Sequence, residues 1–208
     1  MKVIWKSCKG QDRMHNSDYG IFCNYPEQYI FIIGDAREEK ESNYFIKYIL
    51  EFIAKQLHLQ SPNEIKHILK CAKDSYVENE GFPRNLPNQM ASLHILIVDK
   101  VSLQTQSFNL GDCRFGYRDN DKWNWLTEPH MIPGQEYYVT QSFRTKKPIG
   151  EICKQEFHLE NERVYCLGSD GYWGENVSQH DDSSYLEVSG LGIEVVEIDC
   201  RGVNFSHF

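Results

Sequence analysis

Basic residues are in deficit in this chain: 22 Lys and Arg stand against 30 Asp and Glu, a formal charge of −8. A nucleic-acid partner is therefore disfavoured, because neutralising phosphates requires a net basic face. The seven cysteines are odd in number and contain no Cys-x-x-Cys pair. That argues for buried thiols in a reducing compartment rather than a disulfide scaffold. No apolar run approaches the roughly 20 residues of a membrane span. The opening Met1-Lys2-Val3-Ile4-Trp5-Lys6 lacks the apolar core of a signal peptide. There is no internal repeat and no low-complexity tract. A cytoplasmic, membrane-free protein is expected, with residues 1–208 forming a single domain large enough for a sizeable core.

What is present begins with Cys166-Leu167-Gly168-Ser169-Asp170-Gly171-Tyr172-Trp173. A strand-like run, Arg163 to Leu167, ends there in a small-residue turn with Asp170 at its tip. Three more carboxylates border short apolar runs in the same way. Asp18 precedes Tyr19-Gly20-Ile21-Phe22-Cys23, and Asp35 closes Tyr29-Ile30-Phe31-Ile32-Ile33 after Gly34. Asp181, with Asp182 beside it, opens the alternating Ser183-Ser184-Tyr185-Leu186-Glu187-Val188. Carboxylates at strand ends with few His or Cys companions suit hard cations such as Mg²⁺ or Mn²⁺, and suit zinc poorly.

The hydrophobic period changes along the chain from strands to helices and back. Residues 2–33 hold three strand candidates, separated by Lys9-Gly10 and by Asn24-Tyr25-Pro26-Glu27. From Ser42 the residues Phe45, Tyr48, Ile49, Phe52 and Ile53 recur at helical spacing. Ser61-Pro62-Asn63-Glu64 reads as a second helix start, running to about Val77, with a loop over 78–88. Strands are then expected at Leu93–Val98, Gln104–Leu110, Cys113–Arg118 and Lys122–Leu126, with a hairpin turn at Arg118-Asp119-Asn120-Asp121. Residues 131–151 carry little pattern. Strands at Val164–Leu167, Ser184–Val188 and Ile193–Ile198 close the set, and the tail from Asp199 matches no pattern. The class is α+β.

Five pieces in order then resemble the PP2C family of metal-dependent protein phosphatases in its compact bacterial form. They are Arg13-Met14-His15-Asn16-Ser17-Asp18 for Arg-x-x-Asn-x-Asp, and Asn109-Leu110-Gly111-Asp112-Cys113-Arg114 for Asn-x-Gly-Asp-Ser-Arg. Leu126-Thr127-Glu128-Pro129-His130, Ser169-Asp170-Gly171-Tyr172-Trp173 and Asp181-Asp182-Ser183-Ser184 follow. The resemblance implies a β-sandwich of two antiparallel sheets, each flanked by helices, with a metal site at one end. It implies two Mg²⁺ or Mn²⁺ ions bridged by Asp35, one of them held also by Asp170 and Asp181, the other by Asp18 largely through water. Ala36 would add its backbone carbonyl, and Asp112 matches a residue tied to a weaker third ion. Arg13 would hold the substrate phosphate, as a guanidinium fork suits phosphate oxygens. Asp35, Asp170 and Arg13 are thus the expected catalytic set. The partner would be a protein phosphorylated on serine or threonine by a kinase, and the protein a monomer.

The chain departs from that family in several places. Ile32-Ile33-Gly34-Asp35-Ala36 replaces Val-x-Asp-Gly. Either Asp and Gly have exchanged places, or the chain has gained a residue and Ala36 stands at the glycine; the second is expected. Gln89-Met90-Ala91-Ser92 replaces a Gly-Thr-Thr segment, Pro129 an aspartate, and only ten residues separate Asp170 from Asp181. Plainer roles also exist. Asp18 and Asp35 suit turns or helix caps, Asp112 suits a Gly-Asp turn, and Arg13 suits a surface ion pair. Asp182 is an alternative ligand to Asp181. His130, His158 and His180 are too scattered for a metal site, Cys113 reads as a buried thiol, and Trp123 and Trp125 share one strand face. Two functions result: a serine/threonine phosphatase, or an inactive relative that binds phosphoproteins or a kinase.

Overall fold

The computed structural model describes residues 1–39, 41–60, 62–79, 88–132, 135–173, 180–193 and 195–208. Alternating and continuous apolar runs give β1 (Lys2–Cys8), β2 (Asp18–Asn24) and β3 (Gln28–Ala36). Helices α1 (Ser42–Leu59) and α2 (Ile65–Asn79) follow. Then come β4 (Met90–Asp99), β5 (Gln104–Leu110), β6 (Arg114–Asp119) and β7 (Lys122–Trp125). Short strands β8 (Met131–Ile132), β9 (Gln135–Val139) and β10 (Phe143–Arg144) occupy the stretch with little pattern, followed by β11 (Cys153–His158). After β12 (Tyr165–Gly168), one helical turn, α3 (Asp170–Trp173), precedes β13 (Ser183–Ser189), β14 (Glu197–Arg201) and β15 (Phe205–His207).

The strands form two large sheets packed face to face. One runs β11-β5-β4-β3-β2-β15 with β10 beside β4, and the other β14-β1-β13-β12-β6-β7. Strand parity explains the packing. On β3, Ile30 and Ile32 face the helices while Phe31 and Ile33 face the other sheet, and all four are buried. This is why the run reads as continuously apolar. Helix α1 sends Phe45, Ile46, Ile49, Leu50 and Ile53 into the helix-side core, joined by Ile65, Ile68, Leu69, Ala72 and Tyr76 of α2. Between the sheets lie Trp5, Phe22, Phe115, Leu167 and Leu186. Burying each such side chain stabilises by about 1.5–3 kcal/mol.

Three expectations change. The two long helices cover only one sheet: among the described residues, the six-stranded sheet carries just the single turn α3 on its outer face, with Tyr172 against Gly168 and Tyr185. The short Asp170–Asp181 interval is the reason, since one average helix alone needs about 11–12 residues. The sheets are not wholly antiparallel either, because β14 pairs parallel to β1 and β15 parallel to β2. Strand β1 lies between β13 and β14; those two run in opposite directions, so β1 is parallel to one of them. Finally, the strand expected at Ile193–Ile198 starts at Glu197. Gly190 and Gly192 turn the chain with φ of 63° and 82°, and the Met1 amine donates to the Val195 carbonyl at 2.7 Å. The ladder begins only where the Glu197 N–H meets the Met1 carbonyl. The tail supplies the rest of β14 and all of β15.

The hairpin turn at 118–121 is formed by Asn120 and Asp121, both with positive φ (46° and 65°), as a two-residue type I′ connection demands. Ser61 and most of the expected 78–88 loop lie outside the described residues; α2 itself continues to Asn79. Among the described residues, no helix is long and apolar enough to cross a membrane.

Candidate metal and phosphate site

Both sheets deliver carboxylates to the same end of the sandwich. Asp18 begins β2 and Asp35 nearly ends β3, and the two are direct cross-strand partners. Pairing of β3 is unbroken on both sides, from Tyr19↔Gly34 to Asp35↔Ser92. Period-two geometry therefore keeps Asp35 on the same face as Ile33, while Gly34 turns toward Ile46 and Leu50 of α1. A one-residue slip would have buried the carboxylate among the helices. Ala36, next in line, packs in the helix-side core and still borders the cleft.

That cleft has a volume of about 590 Å³. Arg13, Asp35, Ala36, Asp112, Asp170 and Asp181 all line it. Asp18 does not; it sits fully buried behind Asp35. A hydrogen-bond chain fixes it there. Its N–H donates to Asn16 Oδ1 at 2.9 Å, and Ser169 Oγ donates to Asp18 Oδ2 at 3.0 Å. Asn16 Nδ2 in turn donates to Ser7 Oγ, which also accepts from Ser184 Oγ. The motif's asparagine thus ties β1, β2 and β13 together and aims Asp18.

Asp112 sits in the β5–β6 turn, where Gly111 has φ of 131° and a Cβ would lie 2.3 Å from Ser92 Oγ. Only glycine fits such a position without strain. The next motif grips this turn: His130 Nδ1 accepts from the Gly111 N–H at 3.0 Å, and Thr127 Oγ1 from the Phe115 N–H at 2.9 Å. Trp173 Nε1 donates to the Asp112 carbonyl at 2.9 Å. Asp170 opens α3, and Gly171 lets that turn press on the neighbouring loop, since a Cβ there would lie 2.0 Å from the Asp182 carbonyl oxygen.

The adjacent pair Asp181 and Asp182 separates clearly in structure. Asp182 is buried, and its two oxygens accept from the Gly10 N–H at 3.0 Å and the Ser17 N–H at 2.7 Å. It fastens the β1–β2 loop. Asp181 faces the cleft, where its Oδ1 accepts from Arg13 Nη2 at 2.6 Å and Nε at 3.0 Å. Arg13 also lies 3.7 Å from Glu38.

The carboxylates lack buried positive charge. Burial pushes the Asp18 carboxyl up to about 8, with Asp182 and Asp170 adding repulsion. Burial likewise pushes Asp170 up to about 7, reinforced by Asp112 and Asp181. Asp35 rises well above the ordinary range for the same reason, with Asp18 and Asp170 contributing. Among the described residues, Asp18 Oδ1 and Asp112 Oδ1 are buried without a hydrogen-bond partner. Among the described residues no three acidic, imidazole or thiol groups already converge as a finished metal cage. The donor set is nonetheless one that a hard divalent cation fits: all oxygen, compensated by Arg13 at Asp181, and partly unsatisfied.

No protein-family model matches the chain, and no curated protein matches its sequence. Solved structures do match. A serine/threonine phosphatase of S. agalactiae superposes with a TM-score of 0.72 at 13% identity, covering 90% of this chain and 98% of that one. The fold is PP2C-like. Stp1 from Staphylococcus aureus, a serine/threonine phosphatase, gives 0.69 at 14% identity over 93% and 95% of the two chains. The PPM Ser-Thr phosphatase MsPP from Mycobacterium smegmatis, in complex with cacodylate, gives 0.66 at 12% over 90% and 97%.

Outside the cleft, His158 is at the exposed end of β11 and His180 is bonded to Asp12. The fully buried His94 was not singled out in the sequence. It bonds the Cys113 carbonyl and Ser107 Oγ, and burial pushes it down to about 4, a neutral core histidine. Cys113 is buried as expected. Trp123 and Trp125 stack at 6.1 Å. Sequence reasoning missed Ser142 and Arg144, which also line the cleft. They belong to the stretch without hydrophobic period, so no pattern marked them.

Proposed function

We propose that this protein is a divalent-cation-dependent phosphatase acting on phosphoserine and phosphothreonine in proteins. The observation that carries the reading is the convergence of five aspartates and Arg13 at one end of a PP2C-like sandwich, with two buried carboxylate oxygens unpartnered among the described residues. Asp35 would hold both cations, Asp170 and Asp181 one of them, and Asp18 the other from behind. Asp112 would serve a weaker third, and Ala36 would add its carbonyl. When bound, Mg²⁺ or Mn²⁺ supplies Lewis-acid stabilisation of phosphoryl oxygens and makes water acidic enough to act near neutral pH. Arg13 would leave Asp181 for the substrate phosphate once that carboxylate takes up a cation. Arg37 and Arg144 add two further guanidiniums at the cleft wall. The substrate protein would be supplied by a serine/threonine kinase. MsPP with its bound cacodylate, a tetrahedral oxyanion, is consistent with such a cleft.

The alternative is a relative that binds without catalysing. It draws on the Arg13–Asp181 ion pair at 2.6 Å, which closes the two groups on each other. Hydrolysis of p-nitrophenyl phosphate and a phosphothreonine peptide, with and without Mn²⁺, tests both readings. Metal-dependent turnover lost in Asp35→Asn is expected. Thermal stabilisation by Mn²⁺ without turnover would establish the binding-only relative, and no stabilisation would remove the metal site.

A further inference from the structure

A second cavity, of about 510 Å³, has the opposite chemistry. Lys66, Lys70 and Lys73 reach it from one stripe of α2, at i, i+4 and i+7, and Lys146 and Lys147 from the segment after β10. Thr145, Pro148 and Ile149 complete the wall, and among the described residues no carboxylate lines it. Five of the 22 basic residues thus gather on a protein of charge −8. Among the described residues none of the five enters an ion pair; Lys73 donates only to the Lys147 carbonyl, at 3.3 Å. Among the described residues, Thr145 Oγ1 is buried without a hydrogen-bond partner. Like charges held together repel one another, so this wall gains most from an anionic occupant.

Its position indicates which anion. Ser142 and Arg144 line the acidic cleft, and Thr145 to Ile149 line the basic cavity. One continuous segment therefore passes from one cavity to the other at the Arg144–Thr145 step. Strand β10 anchors that segment, with Arg144 paired to Met90 and the Thr145 N–H bonded to the Gln89 carbonyl. A polypeptide whose phosphoresidue sits in the cleft would place flanking residues over the lysines.

We propose that the lysine cavity is a docking subsite for an acidic segment of the substrate protein, adjacent to its phosphorylated residue. This rests on the phosphatase reading and adds a specificity to it: Glu- and Asp-rich flanks favoured over neutral ones. The α2 lysines and Lys146 are exposed apart from the half-buried Lys73, so charge reversal of two of them leaves the core untouched.

The test compares wild type with Lys70→Glu/Lys146→Glu in Mn²⁺ buffer at low salt. Two phosphothreonine peptides, one flanked by glutamates and one by glutamines, are the substrates, with p-nitrophenyl phosphate as a flank-free control. Wild type should prefer the glutamate peptide roughly tenfold, through KM, and the preference should fade with added salt. The variant should lose the preference and keep its p-nitrophenyl phosphate turnover. A wild type that treats both peptides alike, or a variant that still discriminates, would overturn the subsite. Fluorescence anisotropy with the labelled, unphosphorylated glutamate peptide judges the cavity without catalysis. If no substrate turns over, the phosphatase reading fails, while binding lost in the variant still supports the cavity. Equal binding by both proteins, or tighter binding of a single-stranded oligonucleotide, overturns it.

Discussion

The two sheets contribute to one cleft under different constraints. The seven-stranded sheet is sealed on both faces, by α1 and α2 outside and by the partner sheet inside. Its carboxylates, Asp18 and Asp35, come from regular paired strands; Asp18 is shut away from water, and half-buried Asp35 meets it only at the cleft. The six-stranded sheet has no long helix on its outer face among the described residues, and its carboxylates, Asp170, Asp181 and Asp182, sit at strand ends and loops. They are positioned by hydrogen bonds instead: backbone amides for Asp182, a guanidinium for Asp181. Burial raises Asp18 and Asp35 on one sheet and Asp170 on the other, while Asp181 is held by a guanidinium and able to exchange partners. That division suits a site that must hold a cation firmly and release an arginine to substrate.

The sharpest way to break the comparison is on the sealed side. Asp35→Asn should lower Mn²⁺-dependent turnover by roughly 100-fold or more and abolish the Mn²⁺-induced rise in Tm. A retained rise would show that the tethered side binds the metal alone. On the tethered side, the two adjacent aspartates should separate by stability. Asp182→Ala leaves two buried amides unpaired and should cost roughly 2–5 kcal/mol by urea denaturation. Asp181→Ala breaks a half-exposed ion pair and should cost no more than about 1 kcal/mol. Equal costs would erase the distinction between them.

Arg13→Ala comes next, with KM for a phosphopeptide raised about tenfold and Mn²⁺ stabilisation nearly unchanged. Equal loss of both would make Arg13 a structural partner of Asp181. Burial on the sealed side also gives a pH dependence. A carboxyl with a raised folded value binds its proton more tightly folded than unfolded, so stability falls as pH rises. For Asp18 the fall spans the interval from about 4, the unfolded value, to about 8. The metal-free protein should therefore melt lower at pH 8 than at pH 5, and Mn²⁺ should flatten the difference, because the cation binds the ionised form. A metal-free Tm that climbs over this range would contradict the burial of Asp18. The smallest effect lies on the six-stranded sheet: Asp121→Gly, at φ of 65°, should stabilise the β6–β7 hairpin by about 0.5 kcal/mol. A loss of stability there would mean the aspartate side chain contributes more than its backbone costs.

Much of the fold was legible because its signals are local. The run Tyr29 to Ile33, the helical spacing of Phe45, Ile49 and Ile53, and the Asn120-Asp121 turn each state their structure within a few residues. Strand β11 was missed because its faces are only half-buried and its alternation weak. Strand β15 was missed because three residues carry no period, and it forms only by pairing with β2 far back in the chain. The cleft residue Arg144 lies on a two-residue strand, too short for any pattern.

Residue chemistry alone indicates the donor set: oxygen-donor carboxylates at the ends of apolar strands, with an arginine near them. Only the tertiary structure decided how they are used. Nothing local separates Asp181 from Asp182. The difference arises because Gly10 and Ser17, more than 160 residues away, bring their amides to one carboxylate, while Arg13 takes the other, though both border the cleft. Asp18 and Asp35 become neighbours only when β2 and β3 pair. Five lysines spread over α2 and the segment after β10 become one basic surface only when α2 folds beside that segment. Charge and hydrogen-bonding capacity belong to the residues, but which groups meet, and which are shut away from water, is fixed by long-range packing.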